Sequence, residues 1–247
     1  MILSYIQTNG SGQITGLAEW LGVSEATIRR DLDELDDKGR LERTRGGALS
    51  NRAGTSFEHR QEEKLSLMQA EKRRIAHCAA GFIRPGDTVF LDSGTTTYFL
   101  SLLLSAIPNL TVISYDLVIA HTAELHATSQ MIVTGGIRRQ GYNNVLVGSQ
   151  VEDFLHNVRI DKVFLGADAV DLDFGVSNSN FHEAGIKRLA KNSGTEKFLL
   201  VDHSKFDTVA LAKVCPLNDI DTLITDSGAD PVYLQKLSKL VGRLSAV

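Results

Sequence analysis

The segment Val23–Leu35, VSEATIRRDLDEL, separates apolar from cationic side chains at helical spacing. Its isoleucine and leucines recur so that one stripe of a helix would face a core. At about 100° per residue, the opposite side carries the small and cationic side chains Ala26, Thr27, Arg29 and Arg30. An arginine can donate two hydrogen bonds to a guanine edge, and alanine or threonine can contact a thymine methyl group. These residues therefore predict a helix that reads base edges in the major groove of DNA.

The residues around this segment predict a helix-turn-helix. Ser24 can cap the reading helix, since its hydroxyl can accept a hydrogen bond from a backbone N–H of the first turn. Thr15–Gly22, TGLAEWLG, predicts a preceding helix with a threonine cap and with Gly22 as its left-handed terminator. A helix, a glycine-containing turn and a capped helix follow one another in DNA-binding helix-turn-helix units. An ordinary amphipathic helix with solvated arginines is the alternative, because an Arg-Arg pair on a helix face is common.

A basic, glycine-ended segment follows the reading helix. Arg40–Gly47, RLERTRGG, predicts a strand over Leu41–Thr44 and a return turn, which together would make a wing. In that arrangement Arg43 and Arg45 are available for DNA phosphates or for the minor groove. A simple polar hairpin is the alternative interpretation, and the position directly after the reading helix favours the DNA role.

The stretch LGVSEATIRRDLDELDDKGRLERTRGGA closely resembles the DeoR-type helix-turn-helix of bacterial regulators of sugar metabolism. Both the VSEATIRRDL core and the RTRGG wing are in register with that family. The resemblance implies that the first 50 residues bind double-stranded operator DNA.

The bulk composition limits the class of protein. The chain has 247 residues, enough for two domains, and 43% of them are hydrophobic. No apolar run reaches the roughly 18 residues that a membrane span needs, and the N-terminus lacks a signal-peptide pattern, so we expect a cytoplasmic protein with no membrane partner. Cys78 and Cys215 are too few and too far apart for a disulfide framework or a zinc site. We therefore expect neither a metal nor a cofactor.

The charge of the N-terminal part bears on its affinity for DNA. Residues 1–60 carry eight Lys and Arg against nine Asp and Glu, although sequence-independent affinity for DNA depends on positive charge. The arginines lie early in the reading helix, whereas acidic residues crowd its far half and basic residues return in the wing. We therefore expect modest affinity per subunit and a homo-oligomer, a dimer or tetramer, on repeated half-sites.

The composition and the hydrophobic pattern of the sequence change after residue 50. Ser50–Thr55 is small and polar and predicts a linker, and Phe57–Lys72 predicts a charged, helical connector. Helices then alternate with short apolar strands, which is typical of a mainly parallel sheet covered on both faces. The predicted domains are a winged helix-turn-helix over 1–50, a linker and connector over 51–70, and an α/β effector-sensing domain over 71–247. Strands are predicted over Thr88–Leu91, Thr111–Ile113, Met131–Val133, Lys162–Leu165, Lys197–Val201 and Thr222–Ile224, and late helices over His182–Lys191 and Pro231–Leu240.

Polar residues follow the predicted strands, where ligands bind in parallel α/β sheets. The strand TVFL leads into six such residues at the start of a helix: Asp92, Ser93, Gly94, Thr95, Thr96 and Thr97. The glycine permits close approach of the backbone, the N–H groups of the helix start attract an anion, and the hydroxyls can donate. This pattern predicts a phosphate cradle without Walker character, because no GxxxxGK[ST] is present. A purely structural N-cap cluster is the alternative.

Other predicted strand ends carry polar residues of complementary chemistry. They are Gly135, Gly136 and Arg138 after one strand, Asp168 after another and Lys205 after a third. Glu183 and Lys187 lie four residues apart on one helix face, which by itself predicts only an ion pair. A carboxylate such as Asp168 can accept hydrogen bonds from sugar hydroxyls, while Lys187 or Lys205 neutralises a phosphate.

The larger part of the chain, Glu71–Asp226, resembles the C-terminal sensor domain of DeoR-type regulators, whose fold is related to ribose-5-phosphate isomerase. The motifs that carry the resemblance are GDTVFLDSGTTT, GGIRR, LVGSQVEDF, DKVFLGADAVD, SNFHEAGIKR, LLVDHSKF and IDTLITD. The resemblance implies a phosphorylated sugar as effector. It places the phosphate at Ser93–Thr97 and the sugar near Asp168, Glu183, Lys187 and Lys205.

Two functions of different classes fit these residues. The leading hypothesis is a repressor of a carbohydrate-metabolism operon that a phosphorylated sugar releases from DNA. The alternative is an enzyme, a sugar-phosphate isomerase with a helix-turn-helix appendage, in which Asp168, Asp171 and Lys187 transfer protons. No residue pair has a spacing that is diagnostic of catalysis, so we predict a regulator and not an enzyme. An activator would differ only in the sign of its output.

Overall fold

The computed structural model describes residues 1–9, 11–37, 40–44, 46–49, 55, 61–139 and 144–247. The chain forms two compact units, Met1–His59 and Arg60–Val247. Within the described ranges, no helix is both long and apolar enough to span a lipid bilayer.

The first unit, called the head below, is a winged helix-turn-helix. In chain order its elements are α1 (Ile2–Asn9), β1 (Ser11–Gln13), α2 (Ile14–Leu21), α3 (Glu25–Asp37), β2 (Glu42–Thr44) and β3 (Gly47–Leu49). The strands form an antiparallel sheet in the order β1-β3-β2. Strands β2 and β3 make the wing, so the strand predicted over Leu41–Thr44 is present and starts one residue later.

A small apolar core holds the helices of the head together. Ile28 and Leu32 of α3 are fully buried, as is Ile6 of α1. Helix α3 therefore turns inward the stripe that its spacing predicts, and each such side chain contributes about 1.5–3 kcal/mol by leaving water. Trp20 of α2 remains 53% exposed, and its ring lies 4.8 Å from that of Tyr5 between centroids.

The end of α2 has the predicted geometry, but its start does not. Gly22 has a φ of 65°, the left-handed conformation that ends a helix and favours glycine. The predicted threonine cap at Thr15 is wrong, because the helix begins at Ile14 and Gln13 holds the cap position. Ile14 is buried in the core of the head, so packing sets the start of the helix rather than the nearby hydroxyl.

The second unit, called the α/β unit below, alternates helices and strands. Its helices are α4 (Gln61–Ser66), α5 (Gln69–Ala80), α6 (Thr95–Ser101), α7 (Leu117–Thr122), α8 (Ser149–His156), α9 (Phe181–Ser193) and α10 (Pro231–Leu237). Its strands are β4 (Thr88–Leu91), β5 (Thr111–Ser114), β6 (Gln130–Val133), β7 (Ile137–Arg138), β8 (Leu146–Val147), β9 (Ile160–Leu165), β10 (Ala169–Asp171), β11 (Gly175–Asn178), β12 (Gly194–Leu200), β13 (Ala212–Cys215), β14 (Thr222–Thr225) and β15 (Arg243–Ala246). The main sheet is parallel, as predicted, with the strand order β15-β14-β12-β9-β4-β5-β6.

Two apolar clusters lie on the opposite faces of this sheet. Adjacent residues of β4 alternate between them, since Phe90 packs in one cluster and Val89 and Leu91 pack in the other. In the second cluster, Phe164 of β9 stacks on Phe198 of β12 with ring centroids 4.6 Å apart. The nearly continuous apolar strands thus follow from burial on both faces, which is the rule for parallel sheets.

Parts of the α/β unit differ from the sequence prediction. The antiparallel sheet β10-β11-β13, the hairpin β7-β8 and the edge strand β15 are additional, because these short strands have no clear apolar run in the sequence. The connector predicted over Phe57–Lys72 is helical in its described part but interrupted between Ser66 and Gln69. Met68 there has a φ of 51°, a left-handed conformation that separates α4 from α5.

Removal of a core side chain from α3 destabilises the head. We expect Leu32→Ala to lower the free energy of unfolding of the head by about 2–5 kcal/mol, because the cavity of a fully buried leucine collapses only in part. Urea unfolding of the full chain, followed by Trp20 fluorescence, measures this change. Val23→Ala, at a position 41% exposed, is the control and should cost less than about 0.5 kcal/mol. Equal unfolding midpoints for the two variants would contradict the packing role of Leu32.

Candidate functional site

A cleft lies at the C-terminal ends of β4, β9 and β12. Its walls include the loop Ser93–Thr97 after β4, Asp168 after β9, Glu183 and Lys187 of α9, and Lys205 after β12. The parallel topology accounts for this convergence, since the C-terminal ends of parallel strands meet at one edge of a sheet. The structure thus brings most of the predicted effector residues together. Those outside the lining are Asp92, Gly135, Gly136 and Arg138.

Asp92 lies beneath the cleft and fixes its floor. Its carboxylate is fully buried and accepts hydrogen bonds from the Tyr115 hydroxyl at 2.7 Å and from the Gly166 N–H at 2.7 Å. The same carboxylate forms an ion pair with Lys187 Nζ, which also donates to the Gly166 carbonyl at 3.1 Å. Buried charges are stable when they are paired and hydrogen-bonded, and this group meets both conditions. Asp92 therefore holds Lys187 in place rather than lining the cleft.

The loop after β4 presents fewer unbound hydroxyls than its sequence suggests. Ser93 Oγ donates to Asp116 Oδ2 at 2.9 Å, and Thr97 Oγ1 donates to a backbone carbonyl of the loop. The hydroxyls of Thr95 and Thr96 have no hydrogen-bond partner among the described residues, and both threonines line the cleft. The cradle can therefore offer these two hydroxyls, together with backbone N–H groups, to an anion.

Two features shape this loop from behind. Gly94 has a φ of 147°, which side chains rarely permit, so the backbone borders the cleft without a Cβ. Asp116 accepts hydrogen bonds from Ser93 Oγ and from the N–H groups of Val118 and Ile119 at the start of α7. Burial raises the pKa of Asp116, and these hydrogen bonds act in the opposite direction. Asp116 thus supports the loop and caps a helix at once.

Asp168 is a carboxylate of the cleft wall with both oxygens bound. Oδ1 accepts from Lys64 Nζ at 2.9 Å, and Oδ2 accepts from the Ser179 N–H at 3.0 Å and from its hydroxyl at 2.6 Å. Burial alone would raise the pKa of Asp168, but the Lys64 ammonium and the Ser179 hydrogen bonds outweigh it and hold this pKa well below its usual range. The group is therefore ionised near neutral pH and accepts hydrogen bonds only.

Two lysines that the sequence analysis did not single out, Lys64 and Lys72, also line the cleft. Lys72 is 3% exposed, and its Nζ donates to the carbonyl of Leu67 at 2.8 Å and to that of Lys64. Burial lowers the pKa of Lys72 to about 8, against the opposing charge of Asp202. The helical spacing contained a signal for the burial of Lys72, because this residue stands three residues before Ile75 on the buried stripe of α5.

The residues predicted after β6 do not line the cleft. Arg138 is exposed and donates to Asn144 Oδ1 at 2.6 Å, away from the cleft lining. The next residue, Arg139, instead donates to Glu183 Oε1 at 2.6 Å, and Glu183 is itself 3% exposed. The GGIRR motif therefore connects to the cleft through its second arginine, which sequence reasoning missed.

Helix α3 carries the residues predicted to read DNA on its outer side. Ala26, Arg29 and Arg30 are exposed, and Thr27 is half-buried. The Arg30 side chain is 81% exposed, whereas Arg29 forms an ion pair with Glu25 at 3.0 Å. The N–H of Thr27 donates to Ser24 Oγ at 3.2 Å, so Ser24 caps the helix as its sequence position suggests.

The structure describes one of the two arginines predicted on the wing. Arg43 Nε donates to Asp33 Oδ1 at 2.7 Å, and Arg43 Nη1 donates to the Gly47 carbonyl at 2.8 Å. Arg43 therefore joins the wing to α3 within the head. Arg45 lies outside the described residues.

A winged helix-turn-helix followed by an α/β unit with a lysine-lined cleft is the architecture of a two-domain DNA-binding regulator. The family described as "DeoR-like helix-turn-helix domain" matches residues 1–53, and the family described as "DeoR C terminal sensor domain" matches residues 67–227. The chain belongs to the DeoR family of transcriptional regulators. It is accordingly a regulator and not an enzyme.

Named relatives match over nearly the whole chain. The "Lactose phosphotransferase system repressor" of Lactococcus lactis subsp. lactis is 34% identical over 99% of this chain and 96% of its own length. The protein of the same name from Staphylococcus aureus (strain N315) is 33% identical over 91% of this chain and 89% of its own length. The "HTH-type transcriptional regulator IolR" of Bacillus subtilis (strain 168) is 32% identical over 94% of this chain and 91% of its own length. The similarity spans the head and the α/β unit alike.

Solved structures match part of the chain. Ribose 5-phosphate isomerase A from Methanocaldococcus jannaschii matches with 15% identity and a TM-score of 0.41 over 56% of this chain and 55% of its own. The eIF2B beta subunit from Chaetomium thermophilum matches with 17% identity and a TM-score of 0.43 over 66% of this chain and 50% of its own. This chain thus spans about half the length of these solved structures.

The lowered pKa of Lys72 predicts that the stability of the α/β unit depends on pH in the alkaline range. Its folded pKa of about 8 lies below the ordinary value of 10.5, so the unfolded chain binds more protons between these values and the folded state gains stability as the pH rises. We expect this gain to be absent from Lys72→Met. The free energy of unfolding of the wild type minus that of Lys72→Met should therefore increase between about pH 7 and about pH 9.5. Urea unfolding of the two proteins across this range measures the change.

The exposed Lys239 provides a control for this measurement. Lys239→Met removes the same charge from the surface and should leave a difference that does not change with pH. A pH-independent difference for Lys72→Met would contradict the lowered pKa.

Proposed function

We propose that this protein is a repressor of a carbohydrate-metabolism operon and that a phosphorylated sugar releases it from operator DNA. The observation that carries the proposal is the cleft of the α/β unit, where lysines and two threonine hydroxyls, which have no partner in the described part of the chain, stand beside an ionised carboxylate. Such a site supplies cationic donors for a phosphate and an acceptor for sugar hydroxyls. The names of relatives support it, since two of them are repressors of a lactose phosphotransferase system.

Charge balance favours the region of Lys72 and Lys205 for the phosphate. Two other lysines of the cleft, Lys64 and Lys187, are already paired with carboxylates. Across the described ranges, neither Lys72 nor Lys205 has a carboxylate within ion-pair distance, so their charge is available to an anion. The first turn of α6 with its threonine hydroxyls would complete the phosphate site.

The acidic side of the cleft suits the sugar. Asp168 is ionised and accepts hydrogen bonds only, and a carboxylate has more acceptor positions than the partners it has here. Glu183 accepts from Arg139 and borders the same space, and Asn178 can both donate and accept. This mixture of acceptors and donors fits a chain of hydroxyl groups better than an apolar ligand.

The head supplies the contacts to operator DNA. Arg30 extends from α3 without a strong partner and would reach a base edge, with Ala26, Thr27 and Arg29 beside it. Ser24 positions the helix, while Arg43 and Arg45 of the wing would contact phosphates. A ligand can switch this binding only if its affinity differs between the DNA-competent and DNA-incompetent arrangements. The modest charge of the head favours a homo-oligomer on repeated half-sites.

The alternative function, a sugar-phosphate isomerase, is not favoured. Its candidate groups are committed to structural partners: Asp168 is held ionised by Lys64, and Lys187 is buried against Asp92. Asp171 accepts hydrogen bonds from N–H groups of its own turn at 2.9 and 2.6 Å. A proton-transfer catalyst needs a base whose pKa lies near the working pH, whereas the pKa of Asp168 is held well below its usual range.

Replacement of Arg30 tests the assignment of the reading helix. We expect Arg30→Ala to weaken binding to the operator by about 1–3 kcal/mol and to relax specificity at one base pair, if the guanidinium contacts a base edge. Fluorescence anisotropy with duplexes from the chain's own promoter region and with systematic base changes measures both effects. Arg159→Ala, which removes an exposed arginine of the α/β unit, is the matched control. An equal loss on every sequence would assign Arg30 to the phosphate backbone.

Replacement of Lys205 tests the cleft. A thermal-shift screen of aldose and ketose monophosphates on the full chain should identify ligands, because binding to the folded state raises the melting temperature. We expect Lys205→Met to weaken the best ligand about tenfold or more, since a hydrogen bond to a charged group contributes about 1.5–3 kcal/mol. Lys236→Met, an exposed lysine of α10, should bind like the wild type. If no sugar phosphate stabilises the wild type, the proposed effector class is wrong.

A further inference from the structure

Helix α4 contributes a charged side chain to the cleft. Lys64 Nζ lies 2.9 Å from Asp168 Oδ1, and the two side chains are 17% and 19% exposed. The next residue, Leu65, packs against an apolar cluster of the main sheet. A helix of only six residues, Gln61–Ser66, is not stable by itself, so its position depends on such side-chain contacts.

A second lysine of the cleft holds the C-terminal end of α4. Lys72 Nζ donates to the carbonyl oxygen of Lys64, one of those that the last turn of a helix leaves without an internal partner, and to the carbonyl oxygen of Leu67 directly after the helix. Lys72 is buried and borders the same cleft as Lys64. These two polar contacts of α4 are therefore made by ammonium groups that an anion in the cleft would attract.

Helix α4 also has a distinctive place along the chain. The last strand of the head ends at Leu49, and α4 begins at Gln61 as the first helix of the α/β unit. Residues 50–60 connect this strand in sequence to the element that carries Lys64. A change in the position of α4 would reach the head through this connection.

We propose that Lys64 is shared between Asp168 and the phosphate of the effector, and that its transfer to the phosphate releases α4 and weakens the binding of the head to operator DNA. This proposal rests on the proposed function. It makes Lys64 an effector-binding residue and the residue that couples the cleft to the head.

The partners of Asp168 decide which side chain moves. Its Oδ2 is fixed by the N–H and the hydroxyl of Ser179, so the carboxylate remains in the cleft wall. Lys64 reaches it on a flexible four-carbon stem. A phosphate monoester carries about −1.5 to −2 charges near neutral pH and several acceptor oxygens, so it competes well with one carboxylate for an ammonium group. Lys64 would contact Asp168 in the free state and the phosphate in the liganded state. These two sets of contacts provide the structural difference between the states that a switch requires.

The first test measures operator affinity without any ligand. Lys64→Met breaks the pair with Asp168 and should weaken binding to a duplex from the chain's own promoter region about tenfold, within the range usual for coupling between sites. Lys64→Arg keeps a cation at this position and should retain most of the affinity. Lys162→Met is the matched control, because Lys162 lies 2.8 Å from Asp87 in a pair of similar exposure outside the cleft. Its affinity should stay within about twofold of the wild type.

The second test follows α4 directly by hydrogen exchange of the full chain. The backbone amides of 61–66 should exchange faster in Lys64→Met than in the wild type or in Lys162→Met. Inorganic phosphate, compared with chloride at equal ionic strength, should speed this exchange in the wild type and have no effect in Lys64→Met.

The outcomes separate this inference from the proposed function. Wild-type affinity of Lys64→Met for the promoter duplex, or unchanged exchange in α4, overturns the coupling role of Lys64 while leaving DNA and sugar-phosphate binding intact. Exchange in the wild type that does not respond to phosphate overturns the shared-lysine mechanism. A wild-type chain that fails to bind its promoter region instead overturns the proposed function, and the exchange experiment still decides whether Lys64 holds α4.

Discussion

The buried ion pair between Asp92 and Lys187 is the interaction on which the cleft depends. Opposite charges inside a protein are tolerated when they are close and when their remaining hydrogen bonds are satisfied. The Tyr115 hydroxyl and the Gly166 N–H complete the carboxylate, and the Gly166 carbonyl completes the ammonium group. These groups follow β4, β5 and β9 or belong to α9, so one pair joins four elements at one edge of the sheet. The floor of the cleft is held in place as a result.

Among the described residues, the charges at the walls of the cleft are not all paired, unlike those at its floor. Each carboxylate that borders the cleft has a donor nearby, as Asp168 has Lys64 and Glu183 has Arg139. Lys72 is buried without such a pairing in the described part of the chain, and the cost of burial appears in its lowered pKa. An anion in the cleft would relieve that cost. The proposed ligand binding, the charge state of Lys72 and the position of α4 would therefore depend on one another electrostatically.

Local signals in the sequence were sufficient for the fold class and for the central strands of the main sheet, but not for the short antiparallel strands or the full site. The strand Thr88–Leu91 was predicted with its observed limits, because a short apolar run between turn residues leaves few alternatives. The polar residues after it looked equivalent in sequence, yet Asp92 points into the core and the next residues border the cleft. That distinction depends on partners 70 or more residues away, such as Gly166 and Lys187. The burial of Lys72 has a local signal on the apolar stripe of α5, but its place in the cleft does not, since that appears only when α5 lies beside the end of β12.

The strand order of the α/β unit also has a consequence during synthesis on the ribosome. The head is built from contacts within 59 residues, so it can fold as soon as it emerges. The centre of the main sheet instead pairs β4 with β9, which joins Val89 to Lys162 and must wait until both strands have left the exit tunnel. A nascent polypeptide therefore carries a finished nucleic-acid-binding module before it has any sensor with which to regulate it.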